Sequence, residues 1–213
     1  MNLIISIGLL LIPLQFNLNF PFLLEDKWEP EYISEKIKVY SKKSEDSNLK
    51  DIKISGVILA NLESVINALN DVETYPKWVN SCVNSYQFNK INDSEYYYYT
   101  RTKLPFHLSD RDLVVHTTQF ESGNGVWHSI SRARPSMIKE NYNVVRIKYF
   151  ASEWKIKKET QNSVKFEYRI SMDPGGYLPV WIVNIAKTQA AQTTIRQLEK
   201  RSIELMNKKN KSY

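Results

Sequence analysis

Asp173-Pro174-Gly175-Gly176-Tyr177-Leu178-Pro179-Val180-Trp181-Ile182-Val183-Asn184 closes a strand-like run, turns sharply, and launches the last long helical pattern of the chain. Gly175 and Gly176 permit positive φ in the turn. Pro179 has its φ preset for an early helical position, where a helix leaves the amide unpaired anyway. From 179 to about 206 no further glycine or proline intervenes, and Val180, Val183, Ala190, Ala191, Thr194, Leu198 and Leu205 fall near one face. Nothing in the stretch is catalytic in type.

Working back from this turn, the apolar period is mostly two. Residues 82–88, 95–102, 110–120, 126–131, 144–154 and 164–172 read as six strands, separated by breaks short enough for antiparallel connections. Before them, 36–42 and 49–59 read as a hairpin, and 29–35 as a short helix. Asn61 is placed to cap a helix carrying Leu62, Val65, Ile66 and Leu69, and Pro76 to begin a second short one that points Trp78 and Val79 at the core. Two strands, a helix pair, a long antiparallel series and one long helix make an α+β pattern in which a curved sheet wraps around the terminal helix. A concave sheet face wider than one helix leaves room for an apolar ligand chamber.

The whole chain has 213 residues, enough for one domain with a short extension. Cys82 is the only cysteine, so an internal disulfide and a cysteine-rich zinc site are excluded. The formal charge of +6 is interleaved with acids, except in the tail, where Lys200, Arg201, Lys208, Lys209 and Lys211 cluster. A solvated helix end is the plain reading of that tail, and transient contact with anionic headgroups the functional one. No stripe of bases and aromatics suggests nucleic acid. The apolar run 3–14 has the length of a signal-peptide core, so residues 1–20 are expected to direct export to a periplasmic or secreted location. An uncleaved membrane anchor, or a cytoplasmic protein with a buried N-terminal segment, is the alternative.

Taken in order, Asp71-Val72-Glu73-Thr74-Tyr75-Pro76-Lys77-Trp78, Cys82, Pro105, Ser109-Asp110-Arg111-Asp112-Leu113-Val114 and Gly175-Gly176-Tyr177-Leu178-Pro179 resemble the START lipid-transfer domains of the helix-grip group. The resemblance covers about 28–206 and places a START-like domain at 28–208, followed by a basic tail at 209–213. It implies a monomer with a hydrophobic tunnel between sheet and C-terminal helix, holding a lipid or other apolar small molecule, with no cofactor and no catalytic residues. A cyclase-like enzyme and an interaction module with an empty interior are the alternatives of the same fold.

By that resemblance Arg111 faces the cavity and meets the polar end of a ligand, and alternation puts Leu113, Val115 and Thr117 on its face. The plain alternative for Arg111 is an ion pair with Asp110, Asp112 or another acid of the sheet. Arg101 stands where some relatives carry an acid. If both arginines point inward, an anionic ligand or an acid such as Glu95 must match them, which favours a carboxylate or phosphate lipid over a neutral sterol. Tyr97 and Tyr99 share Arg101's face and are the tyrosines of the run 96–99 expected to line the cavity, with ordinary sheet packing as the other reading. Trp181 is expected at the cavity mouth, and Gly175, Gly176 and Pro179 as the hinge of the lid. His107, His116 and His128 lack metal-ligand spacing, and no metal is expected.

Overall fold

The structure, a computed structural model, describes residues 28–44, 49–105, 107–176, 178 and 191–210. Ten strands form one sheet: β1 (Glu29–Ile33), β2 (Ile37–Lys43), β3 (Lys50–Ile58), β4 (Cys82–Asn92), β5 (Glu95–Thr102), β6 (Asp110–Glu121), β7 (Val126–Ala133), β8 (Val144–Arg146), β9 (Tyr149–Thr160) and β10 (Ser163–Asp173). Their order is β1-β2-β3-β10-β9-β7-β6-β5-β4, with β8 attached to β6. Every pairing is antiparallel except β6 with β8. Helices α1 (Leu62–Asn70), α2 (Tyr75–Trp78) and α3 (Ala191–Asn210) complete the helix-grip architecture expected from the pattern of elements.

Local chemistry sets the helix entries. Asn61 is extended and its side chain accepts from the Ser64 amide at 2.9 Å, which satisfies an amide that the first turn of α1 cannot pair internally. Ser64, Val65 and Ala68 then face inward. In α3, Ile195, Leu198 and Ser202 are buried at spacings of three and four, and Arg201 reaches Asp71 at 2.8 Å. Ile195 and Leu198 join Ile54, Ile58, Val65 and Ile156 in the main apolar cluster, which ties α1 and α3 to one half of the sheet. A second, smaller cluster of Leu113, Val115, Ile147 and Phe150 lies toward the other half. Among the described residues, no helix is long and apolar enough to cross a membrane.

Two expectations for individual elements are corrected. Residues 29–35 do not form a helix: Glu29–Ile33 is the edge strand β1, paired with β2. Glu31 accepts from Ser41 on β2 and pairs with Lys50 on β3 at 3.1 Å, so tertiary pairing overrides the local preference. The run 144–154 is also not one strand. It breaks at Ile147–Lys148, because β8 lies parallel to β6 while β9 joins β7 and β10. The break is held by the Ile147 amide donating to the Asp112 carbonyl at 2.9 Å and by a buried pairing of Arg146 with Asp112.

Residues 177 and 179–190 fall outside the described residues, so the first half of the expected terminal helix is not part of this description. The described half is helical, to Asn210.

Candidate functional site

Strand register assigns each side chain to a face of the sheet. On β5 and β6 the pairs Tyr96 with Thr117, Tyr98 with Val115, Thr100 with Leu113 and Thr102 with Arg111 share the concave face. The intervening pairs, Tyr97 with His116, Tyr99 with Val114 and Arg101 with Asp112, take the convex face.

A chamber of about 180 Å³ lies between the concave face, the α1–α2 segment and α3. From the helices come Leu69, Tyr75, Trp78 and Thr194, with Val79 just past the end of α2. β5 and β6 contribute Tyr96, Tyr98, Thr100, Thr102, Thr117 and Gln119. β7, β9 and β10 contribute Ser129, Ser131, Phe150, Ser152, Trp154 and Tyr168. Cys82 completes the wall at the start of β4. Eleven of these eighteen side chains carry a hydroxyl and none is charged, so the described part of the wall is polar in places yet electrically neutral.

Aromatic contacts shape one side of the chamber: Trp154 stacks on Tyr168 at 4.2 Å, and Tyr75 meets Trp78 edge-on at 5.2 Å. Burial pushes the phenols of Tyr75, Tyr96 and Tyr98 well above the ordinary tyrosine value and that of Tyr168 up to about 12, because an ionised phenolate loses its hydration there. The Cys82 thiol is raised for the same reason. These groups stay protonated at neutral pH.

Arg111 points to the concave side but is not among the chamber's lining residues. Its guanidinium donates to three main-chain carbonyls: Ser109 at 2.6 Å, Pro174 at 3.2 Å and Gly175 at 3.0 Å. The side chain therefore clamps the turn before the terminal helix. Neither Asp110 nor Asp112 pairs with it. Burial lowers its pKa from the ordinary arginine value. Gly175 and Gly176 have φ of +65° and +63°, as the turn was expected to require, and a Cβ on Gly176 would come within 3.4 Å of Arg111 Nη2.

The Asp110-Arg111-Asp112 run holds three different elements. Asp110 accepts from Arg101 Nε at 2.7 Å across the β5–β6 pair. Asp112 accepts from Arg146 Nε at 2.7 Å and Nη2 at 3.0 Å, both side chains being almost wholly buried. Arg146 also donates to the carbonyls of Pro135, Ile138 and Lys139, fastening the 134–143 crossover to the convex face. The Asp112 carboxylate, as hydrogen-bond partner, raises the Arg146 pKa despite burial.

The register corrects three site expectations. Arg101 points outward and pairs with Asp110, so no double positive charge is buried and the case for an anionic ligand built on it falls away. Tyr97 stacks on His116 at 4.4 Å on the convex face, where Glu95 also binds His116 at 2.7 Å. Tyr99 stacks on Tyr86 at 5.0 Å and receives a hydrogen bond from Asn141 at 3.1 Å, also outside the chamber. Leu113 and Val115 share the inward face of Arg111, but they pack with Ile147 and Phe150 instead of lining the void.

Trp181 and Pro179 lie outside the described residues. Thr117, placed by alternation on the face of Arg111, does line the chamber, whereas Tyr96, Tyr98, Thr100, Thr102 and the serines of β7 and β9 were not singled out by residue type. The available signal was the alternation Tyr96-Tyr98-Thr100-Thr102 against Thr117-Gln119, provided the β5–β6 register had been fixed. Among the described residues no cluster of His, Cys, Asp and Glu could hold a metal.

A family model for the START domain matches residues 23–203. By sequence, an uncharacterized protein of Pseudomonas aeruginosa is 24% identical over 175 residues, covering 82% of this chain and 86% of that one. The phosphatidylcholine transfer protein of Rattus norvegicus is 22% identical over 185 residues, covering 84% and 86%. Among solved structures, fragment 25–204 of the STAR-related lipid transfer protein of Xanthomonas axonopodis matches with a TM-score of 0.75 at 26% identity, over 82% of this chain and 98% of that one.

Proposed function

The chain belongs to the START domain family, and from that premise we propose that it binds a hydrophobic small molecule between the concave sheet face and the C-terminal helix and carries it without changing it chemically. The observation that carries this reading is the chamber itself, walled by aromatic and neutral side chains and placed where sheet, α2 and α3 meet. Carriage is favoured over reaction by the protonation of the wall. Among the described lining residues the phenols and the thiol are held neutral by burial and the others do not titrate, so these groups offer no base at neutral pH.

Native mass spectrometry of delipidated protein after exposure to mixed-lipid vesicles tests the reading. One ligand per chain is expected, with release to acceptor vesicles. A chain that returns empty from panels of both neutral and charged lipids would not be a carrier.

Export remains part of the proposal and rests on the apolar run 3–14. Sequencing the N-terminus of protein from its native host is expected to find a chain processed near residue 20. An intact Met1 chain in the cytosol would count against it.

A further inference from the structure

We propose that the chamber selects an uncharged ligand bearing hydroxyl or carbonyl groups and discriminates against carboxylate and phosphate headgroups; this deepens, and rests on, the carrier reading above.

The first ground is electrostatic. Among the described residues no lining side chain is charged, and an ionised headgroup moved from water against these groups loses hydration that they do not replace. The cation nearest in register, Arg111, already has its Nε, Nη1 and Nη2 engaged by the carbonyls of Pro174, Ser109 and Gly175. Arg101 is on the other face, paired with Asp110. Recruiting Arg111 to an anion would leave the turn carbonyls unpaired.

The second ground is the pattern of hydroxyls. Register aligns Thr117, Ser131 and Ser152 in one row across β6, β7 and β9, and Gln119, Ser129 and Trp154 in the next. Thr117 and Ser131 bond to each other at 2.8 Å. Among the described residues, the hydroxyls of Thr100, Thr102 and Ser129 have no side-chain hydrogen-bond partner, although all three line the chamber. Ser129 is itself only 6% exposed. A hydroxyl both donates and accepts, so such groups can satisfy an alcohol or a ketone fully, whereas to a carboxylate they offer a donor but no countercharge for the hydration it loses. Polar groups placed this way inside an otherwise aromatic pocket fix orientation and specificity.

The test is a set of probes with one common tail: dodecanol, dodecanoate and dodecylphosphocholine, titrated at pH 8 into delipidated full-length protein below their micelle concentrations. Dodecanol is expected to bind at least about tenfold more tightly than either of the others, the factor that 1.4 kcal/mol of differential solvation produces. The Thr100→Val/Ser129→Ala double variant removes only hydroxyls without side-chain partners, so it is expected to fold normally. It should lose most of the preference for dodecanol, with dodecanol binding weakened more than dodecanoate binding. Equal or tighter binding of dodecanoate or dodecylphosphocholine by the unmodified protein overturns the inference and leaves the carrier reading standing. Binding of none of the three overturns the carrier reading itself, and a double variant with undiminished preference removes the assignment to these hydroxyls.

Discussion

The two faces of β6 bury polar groups in opposite ways. On the convex face Asp112 and Arg146 form an ion pair with side-chain exposures of 0% and 1%, and Arg146 also donates to the carbonyls of the crossover. On the concave face Thr117 meets Ser131, within a wall whose described side chains carry no charge. Charge is tolerated where the protein supplies every partner. Where space is left for something else, the protein uses groups that remain neutral, since a half-satisfied ion in a low-dielectric cavity is costly. Arg111 lies between the two regimes: it is a cation on the concave side, held by backbone dipoles alone.

The contrast is broken most severely from the convex side. Arg146→Ala leaves the Asp112 carboxylate buried without its cation, and a loss of about 3–5 kcal/mol is expected in chemical denaturation. Replacing both partners by apolar residues, Asp112→Leu with Arg146→Met, should recover much of that loss. A single Arg146→Ala that costs under about 1 kcal/mol would mean that the pair is solvated. Arg111→Ala removes a charged donor from three carbonyls, and about 2–3 kcal/mol is expected, because hydrogen bonds to charged groups run near 1.5–3 kcal/mol each and water replaces part of them.

Smaller effects sharpen the comparison. Gly175→Ala puts a Cβ at φ +65° and 3.3 Å from Val145 Cγ1, so a loss of about 1–2 kcal/mol is expected. Ligand exchange should slow if the turn serves as the hinge of the lid, and unchanged exchange rates in this folded variant reduce the turn to a helix cap. Tyr168→Phe should be close to neutral for stability at pH 7 but should change the alkaline limb. Burial raises the Tyr168 pKa from about 10 to about 12, so the native state keeps a proton that the unfolded state loses. Its contribution is complete below about pH 10 and is lost as the pH rises toward about 12. Stability measured from pH 9 to 12 should fall less steeply in the variant, and identical slopes would place this phenol in water.

The fold was legible because its signals are local. Asn61 is a cap by its own chemistry, Gly175 and Gly176 are needed at positive φ, and the period of two in β5 and β6 needs no partner to be read. The site was only half legible, because it depends on which residue of one strand faces which residue of the next. A slip of one position sends every side chain to the other face. Thus Arg101, Tyr97 and Tyr99 were correctly grouped on one face, and that face is the outer one. Nothing in the Ser109–Leu113 run reveals that Arg111 binds carbonyls 63 and 64 residues away, or that Asp112 draws Arg146 into a parallel strand. The helix assigned to 29–35 failed for the same reason, since β1 exists through its pairing with β2.

Filling the chamber is the most direct experiment. Ser131 sits midway along the hydroxyl row and points into the void, so Ser131→Trp should occupy the space a ligand would take, at a cost of about 1–3 kcal/mol from overpacking. With the variant shown to be folded by circular dichroism and a cooperative melt, uptake of a fluorescent lipid from vesicles is expected to drop to background while the unmodified chain loads. Uptake by folded Ser131→Trp at the unmodified rate and stoichiometry would mean that ligand binds elsewhere and that the chamber between sheet and helix is not the carrier site.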